Sequence, residues 1–363
     1  RGTKSSTQKN RDFLTTVDVP TKGLQDSMTP TRFVLVTFAI GCCLLSYTVA
    51  APDIVPAGSK VELVARTQAA QATPFTEGPV YREGHLYFTD TSNSRILRVR
   101  VDRQAALPLP LEIFREPSGR ANGLEFDAAG RLLACEGSGS GGGRRVTRTE
   151  SNGALTVLAE KYEGKRLNSP NDLAVDAKGR IYFTDPRYGN RDGMELEKES
   201  VYRIDPSGKL VRIIADVERP NGIAVSPDQK TLYVVDNNPS RGGARKVYAY
   251  ALRADNSVGA RRVLHDFGTG RGGDGMCLDR DGNAYITAGL NGGFSQEQDS
   301  SVKAGVFIVS PGGKALGFIP VPEDSVTNCT FGGPELKSLY ITAGTALWRI
   351  DLNARGLAPL SAK

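Results

Sequence analysis

Short apolar runs alternate with polar turns along this chain in one recurring arrangement. The stretch PFTEGPVYREGHLYFTD (Pro74–Asp90) shows it: a polar head at Glu77, a strand-like run, a Glu-Gly turn, then a second run rich in aromatics. The same order returns in NGLEFDAAGRLLACEG from Asn122, NDLAVDAKGRIYFTDP from Asn171 and NGIAVSPDQKTLYVVDN from Asn221. It returns again in DGMCLDRDGNAYITAG from Asp274 and NCTFGGPELKSLYITAG from Asn328. Most copies add a third run, such as SRILRVRVD, KVYAYAL or ALWRIDL. Successive heads lie 45, 49, 50, 53 and 54 residues apart. No segment carries a helical period of apolar positions. Strand–hairpin–strand units at this period are the signature of propeller blades. The pattern therefore predicts an all-β fold, a six-bladed β-propeller with four-stranded blades.

The last copy supplies only three strands. KVELVAR (Lys60–Arg66), ahead of the first copy, is the expected fourth. Such closure between N- and C-terminal strands hides edges that a ring otherwise leaves open. It makes residues 59–363 one domain, entered through a linker at 52–58.

Upstream, Met28 opens a stretch in the order of a secretory signal: a short basic region ending at Arg32, an apolar run Phe33–Tyr47, and small residues around Ala50 and Ala51. Residues 28–51 thus read as a signal peptide and predict a secreted or periplasmic protein. The rival is a membrane anchor, since Phe33 to Ala51 is 19 residues. Ser, Thr, Gly and two Cys dilute that stretch, so membrane association is expected only if the segment stays uncleaved. Residues 1–27 read as an upstream, disordered extension.

Beyond residue 50 the chain carries 40 basic and 37 acidic residues, with no basic run interleaved with aromatics. Nucleic-acid binding has no support in that composition. Cys135, Cys277 and Cys329 are odd in number, widely spaced and without a CxxC pair. They read as free, buried thiols rather than a disulfide framework or a thiolate metal site.

The repeat gives the polar heads a common purpose. The first strand of each propeller blade lines the central channel, so residues at one phase of every blade converge. Glu77, Asn122, Asn171, Asn221, Asp274 and Asn328 are expected to ring one mouth. Two carboxylates and four amides, without His or Cys, are hard oxygen donors that suit Ca²⁺ better than Zn²⁺ or copper. Turn chemistry is the competing account of Asn and Asp before strands, above all for Asn122 and Asn328. Glu is a poor turn residue, so Glu77 resists that account. Asp90, Asp185 and Asp236 end second strands and read as turn residues. His85 and His265 have no acid–nucleophile partner at a recognisable spacing, which leaves a Ser-His-Asp mechanism unsupported. CEGSGSGGGRR (Cys135–Arg145) lacks the order of a phosphate loop and reads as a hairpin tip whose arginines overhang the mouth.

The heads EGP (Glu77–Pro79), SPND (Ser169–Asp172), PNG (Pro220–Gly222) and GDGM (Gly273–Met276), with FTDPRYG (Phe183–Gly189), resemble the regucalcin/gluconolactonase/luciferin-regenerating-enzyme-like family. The resemblance covers nearly all of residues 70–350. It implies a six-bladed propeller that hydrolyses a sugar lactone such as gluconolactone, using one divalent cation in the channel. Calcium stands first, with Zn²⁺, Mg²⁺ or Mn²⁺ as alternatives. It implies Glu77, Asn171, Asn221 and Asp274 as metal ligands and Asp274 as the catalytic acid. Asn171 would also face substrate, as would Asn122, Asn328 and Arg166 of KRLNSPND. Two departures bear on the substrate: a glycine-rich insert after Cys135-Glu136 where bacterial relatives often read Cys-Glu-His, and Arg187 where proline is frequent. Two other readings stay open. One is a calcium-dependent phosphotriesterase or arylesterase of the diisopropylfluorophosphatase or paraoxonase type. The other is a non-enzymatic binding propeller.

Overall fold

A computed structural model describes residues 54–101, 106–292 and 300–360. The expectations for residues 1–27 and 28–51 lie outside the described residues. Six antiparallel sheets of four strands form the six blades of a β-propeller. Their inner strands are Thr76–Arg82, Ala121–Phe126, Leu173–Val175, Pro220–Val225, Gly273–Leu278 and Val326–Gly332. No helix long and apolar enough to cross a membrane occurs among the described residues.

Local sequence explains the hairpins. Glu83 and Gly84 join the first two strands of blade 1 with φ of 49° and 78°. Two successive left-handed residues match the natural twist of a tight hairpin, and glycine makes the second position easy. Packing then joins the blades, because each blade's apolar face meets the next. Tyr87 of blade 1 meets Phe126 of blade 2 edge-on at 5.3 Å, within a cluster that includes Val80, Ile96, Leu124 and Ala134.

The ring closes as expected. Glu62–Arg66 pairs antiparallel with Ala346–Asp351 and becomes the outer strand of blade 6. Ile54 and Val55, within the 52–58 stretch, also pack against blade 6, and Asn353 N donates to Ile54 O at 2.9 Å. Among the described residues the cysteines Cys135, Cys277 and Cys329 are free; Cys135 and Cys329 are buried and Cys277 is partly exposed.

Candidate functional site

Five of the six inner strands open with the same irregularity. After the first ladder pair, two residues face one on the neighbouring strand: Glu77-Gly78 in blade 1, Asn122-Gly123 in blade 2, Asn221-Gly222 in blade 4 and Asp274-Gly275 in blade 5. Asn171-Asp172 occupies that place in blade 3, where Asn171 N donates to Thr184 O at 2.9 Å and Asp172 O accepts from Thr184 N at 3.0 Å. Such a bulge re-aims a side chain, here toward the channel axis. Threonine hydroxyls then fix the heads across blade boundaries. Thr89 Oγ1 donates to Asn122 O at 3.0 Å, Thr184 Oγ1 to Asn221 O at 2.7 Å, and Thr287 Oγ1 to Thr327 O at 2.8 Å.

Blade 6 corrects the expected ring. Its bulge residues are Thr327-Asn328, so Thr327 holds the place of the other heads. Thr327 is fully buried and spends its hydroxyl on Thr76 O at 2.7 Å. Asn328 lies one residue deeper, level with Gly78, Gly123, Asp172, Gly222 and Gly275. From there its Nδ2 reaches Asp172 Oδ2, on the opposite blade, at 3.3 Å. Glycine is required around this pair, because a β-carbon at Gly275 would overlap the Asn328 side chain and one at Gly123 would overlap Asp172. Asp172 and Asn328 thus floor the site instead of ringing it.

Above that floor is a cavity of about 380 Å³ lined by Glu77, Asn122, Asn171, Asn221 and Asp274. Phe75, Tyr188, Arg120 and Arg271 form parts of its wall. Burial pushes the Glu77 carboxyl well above its usual range, and the charges of Asp274 and Asp172 push it further. Burial also raises Asp274, offset by the Arg271 guanidinium and the Asn221 amide. Arg271 pairs with Asp274 Oδ2 and donates to Val326 O at 3.0 Å. Asn221 gives its amide nitrogen to Tyr188 Oη at 3.1 Å, which leaves its oxygen for the cavity. Asn122 Oδ1 and Asn171 Oδ1 are buried without a hydrogen-bond partner among the described residues. Orphaned acceptors beside two mutually repelling acids are what a hard divalent cation would satisfy. Carboxylates alone do not make that site: among the described residues no group of three or more His, Cys, Asp or Glu side chains is placed to hold a metal ion, so an ion here would need the amide oxygens as well.

Other expected residues go elsewhere. Arg166 is exposed on a short hairpin, Lys161–Tyr162 against Lys165–Arg166, and its guanidinium reaches only Gly143 O at 3.4 Å. The hairpin carries it away from the cavity wall, although only five positions separate it from Asn171. Arg144 and Arg145 do not overhang the mouth. Arg144 Nε donates to Leu167 O at 2.7 Å, and Arg145 pairs with buried Glu136 at 2.7 Å. Arg187 is buried and ties its own loop by donating to Asn168 O and Asp192 O. Asp185 and Asp236 accept the backbone N–H groups of Ser169 and Arg219 at 2.7 Å, just before a head, which is turn chemistry as expected. His265 packs edge-on against Phe267. Tyr188, Arg120 and Arg271 were not anticipated as wall residues. The available signal was proximity, since Arg120 and Arg271 lie two and three positions before a head.

The family model described as SMP-30/Gluconolactonase/LRE-like region matches residues 75–345. A gluconolactonase of Zymomonas mobilis is 30% identical over 307 residues, which is 78% of this chain and 80% of the relative. A 6-deoxy-6-sulfogluconolactonase of Pseudomonas putida is 31% identical, covering 75% of this chain and 84% of the relative. The solved structure of a gluconolactonase from Xanthomonas campestris superposes with a TM-score of 0.69 at 33% identity, over 84% of this chain and 94% of that one. This chain belongs to the SMP-30/gluconolactonase/LRE-like family.

Proposed function

We propose that this protein is a lactonase, a carboxylic ester hydrolase that opens a sugar lactone such as glucono-1,5-lactone and depends on a divalent cation, calcium. The convergence of Glu77, Asn122, Asn171, Asn221 and Asp274 on one cavity, with amide oxygens left unpartnered, carries this reading. Its relatives named as gluconolactonase and sulfogluconolactonase support the substrate class.

Glu77, Asn171, Asn221 and Asp274 would hold the cation. When bound, it supplies Lewis-acid polarisation of the lactone carbonyl. Asp274 accepts a proton from the water that attacks the carbonyl carbon. It then returns that proton to the ring oxygen as the ester bond breaks, giving the open hydroxy acid. Arg271 beside one carboxylate oxygen favours the ionised form of Asp274 against the effect of burial and leaves the other oxygen to handle the proton. The amides of Asn122 and Asn171 bind sugar hydroxyls or the cation without adding charge. Phe75 lines the same cavity and would offer an apolar surface to the ring. Export through the 28–51 leader is part of this proposal, and N-terminal sequencing of the exported form tests it.

The functional test is acid release from glucono-1,5-lactone at constant pH, corrected for spontaneous opening. Chelator should return the rate to background and added calcium should restore it. Asp274→Asn should lower kcat by about a hundredfold or more while calcium still binds. Wild-type turnover in that variant removes Asp274 from the mechanism, and turnover indifferent to chelator removes the cation. Turnover of a paraoxon-like ester in place of the lactone favours the phosphotriesterase reading.

A further inference from the structure

Asp172 and Asn328, which floor the upper cavity, also line a second chamber of about 200 Å³. Its other walls are mostly apolar, with Val80, Leu124, Ile223 and Phe331 among them. Two thiols line it as well, Cys277 from the inner strand of blade 5 and Cys329 from that of blade 6. Their sulfurs lie 3.5 Å apart, although the two residues are 52 positions apart in sequence. Cys277 is partly exposed and Cys329 is buried. Cys329 Sγ donates to Tyr285 O at 3.3 Å. With its own proton committed there, Cys329 turns a sulfur lone pair toward Cys277.

Sulfurs at this separation need only about 1.5 Å of approach to reach the bonding distance of about 2.0 Å. The two strands belong to different sheets, joined by the Thr287–Thr327 hydrogen bond and by a shared apolar cluster with Tyr285, Phe331 and Leu339. Water occupies about 30 Å³ in the liquid, so the chamber has room for an oxidant as small as hydrogen peroxide. Cys135 is a contrast within the same molecule. It is buried in a separate cluster with Leu133, Leu167 and Phe183.

We propose that Cys277 and Cys329 are a modification site, at which a peroxide forms a disulfide that staples blade 5 to blade 6. Cys277, the more exposed, attacks one peroxide oxygen as its thiolate. The O–O bond breaks, and hydroxide leaves to take up the proton that the thiol gave away. Cys329 Sγ then attacks the sulfenic sulfur of Cys277. The S–S bond forms, the S–O bond breaks, and hydroxide leaves with the Cys329 proton as a second water. Two thiols lose two electrons and two protons, and one hydrogen peroxide becomes two waters. Burial pushes the Cys277 thiol well up, so the first step is slow near neutral pH and quickens as pH rises. The staple lies on the strands that carry Asp274 and Asn328.

The test treats the full chain with hydrogen peroxide, unfolds it in an alkylating reagent and maps its peptides by mass spectrometry. The expected product joins the Cys277 peptide to the Cys329 peptide, lighter by two hydrogens, and dithiothreitol separates them again. Mapping distinguishes this product from any formed at Cys42 and Cys43. The oxidised protein should melt about 4 °C or more above the reduced form, because the cross-link restrains the unfolded chain. Dithiothreitol should erase that shift. In Cys329→Ser the sulfenic acid has no resolving thiol, so dimedone labelling of Cys277 should rise severalfold over wild type. The wild-type map and melt carry the test even where that variant does not fold. Recovery of both cysteines alkylated overturns the assignment; Met276, which lines the same chamber, reports by its own oxidation whether peroxide entered. Conversion of Cys277 to a sulfinic acid beside an intact Cys329 in wild type overturns it too. A cross-link that leaves the melting temperature unchanged overturns the staple.

Discussion

At the scale of single residues, Glu77 is caught between two demands. Buried beside Asp274 and Asp172, its charged form is disfavoured; a site for a divalent cation requires that charged form. Glu77→Gln separates the two. In chelator the variant should melt higher than wild type, because a buried repulsion is gone, by about 2 °C for each kcal/mol gained. In calcium it should melt lower, with affinity for the ion reduced about tenfold or more, as one of two anionic ligands is lost. A thermal scan in both conditions reads this crossing, and a variant that shifts the same way in both refutes it. Such trading of stability for function is common at sites. Five of the six expected heads were legible because each sits in its own copy of the repeat. The sixth was not, since blade 6 places two polar residues, Thr327 and Asn328, side by side. A one-residue difference in phase decides which faces the axis. Arg120 and Arg271 were hidden for another reason: a wall is assembled from loops that the repeat does not pattern.

At the scale of elements, the inner strands are held in place by two devices that no periodicity of apolar residues displays. One is the set of threonine hydroxyls reaching the next blade's head. Thr287 bonds both Gly275 O at 2.9 Å and Thr327 O at 2.8 Å, and is fully buried. Thr287→Val keeps the shape and removes both bonds, so denaturant melts should show a loss of about 1–3 kcal/mol. A neutral result would mean that packing alone sets the blade spacing. The other device is the layer of glycines beneath the heads. A β-carbon at Gly222 would press on Asp274 O, a backbone atom that cannot swing aside. Gly222→Ala should therefore cost about 1–3 kcal/mol and also displace Asp274, so that lactone turnover falls further than stability explains. The blade count and the Glu62–Arg66 clasp could be read in advance because strands and turns announce themselves locally. The floor made by Asp172 and Asn328 could not, because it joins residues on opposite blades that meet only after the ring closes.

At the scale of the whole molecule, the ring buries carboxylates at several levels and so acquires an unusual dependence on pH. Burial raises Asp172, Glu125 and Asp185 to about 7 and Asp236 to about 6. In the unfolded chain the same groups titrate near 4. Between those values the folded protein binds more protons than the unfolded one, so stability falls as pH rises through the window. This contribution is complete below pH about 4 and gone above about 7. Carboxylates lowered by a partner work the other way: Asp205 beside Arg203, and Asp228 bonded to Ser226, lose their contribution as pH drops below about 4. The two trends meet near the unfolded pKa, so the chelated protein should be most stable at about pH 4 and lose stability steadily as pH rises toward about 7. In the proposed function Glu77 and Asp274 would hold calcium in their ionised forms, so the stabilisation it brings should grow with pH and flatten the curve. Calorimetric Tm values from pH 4.5 to 8.5, with chelator and with calcium, test both slopes. Asp172→Asn, which removes one titrating group from the floor, should make the chelated slope shallower. A chelated Tm that climbs steadily toward pH 8 would mean that these carboxylates are ionised in the fold, satisfied by partners or water.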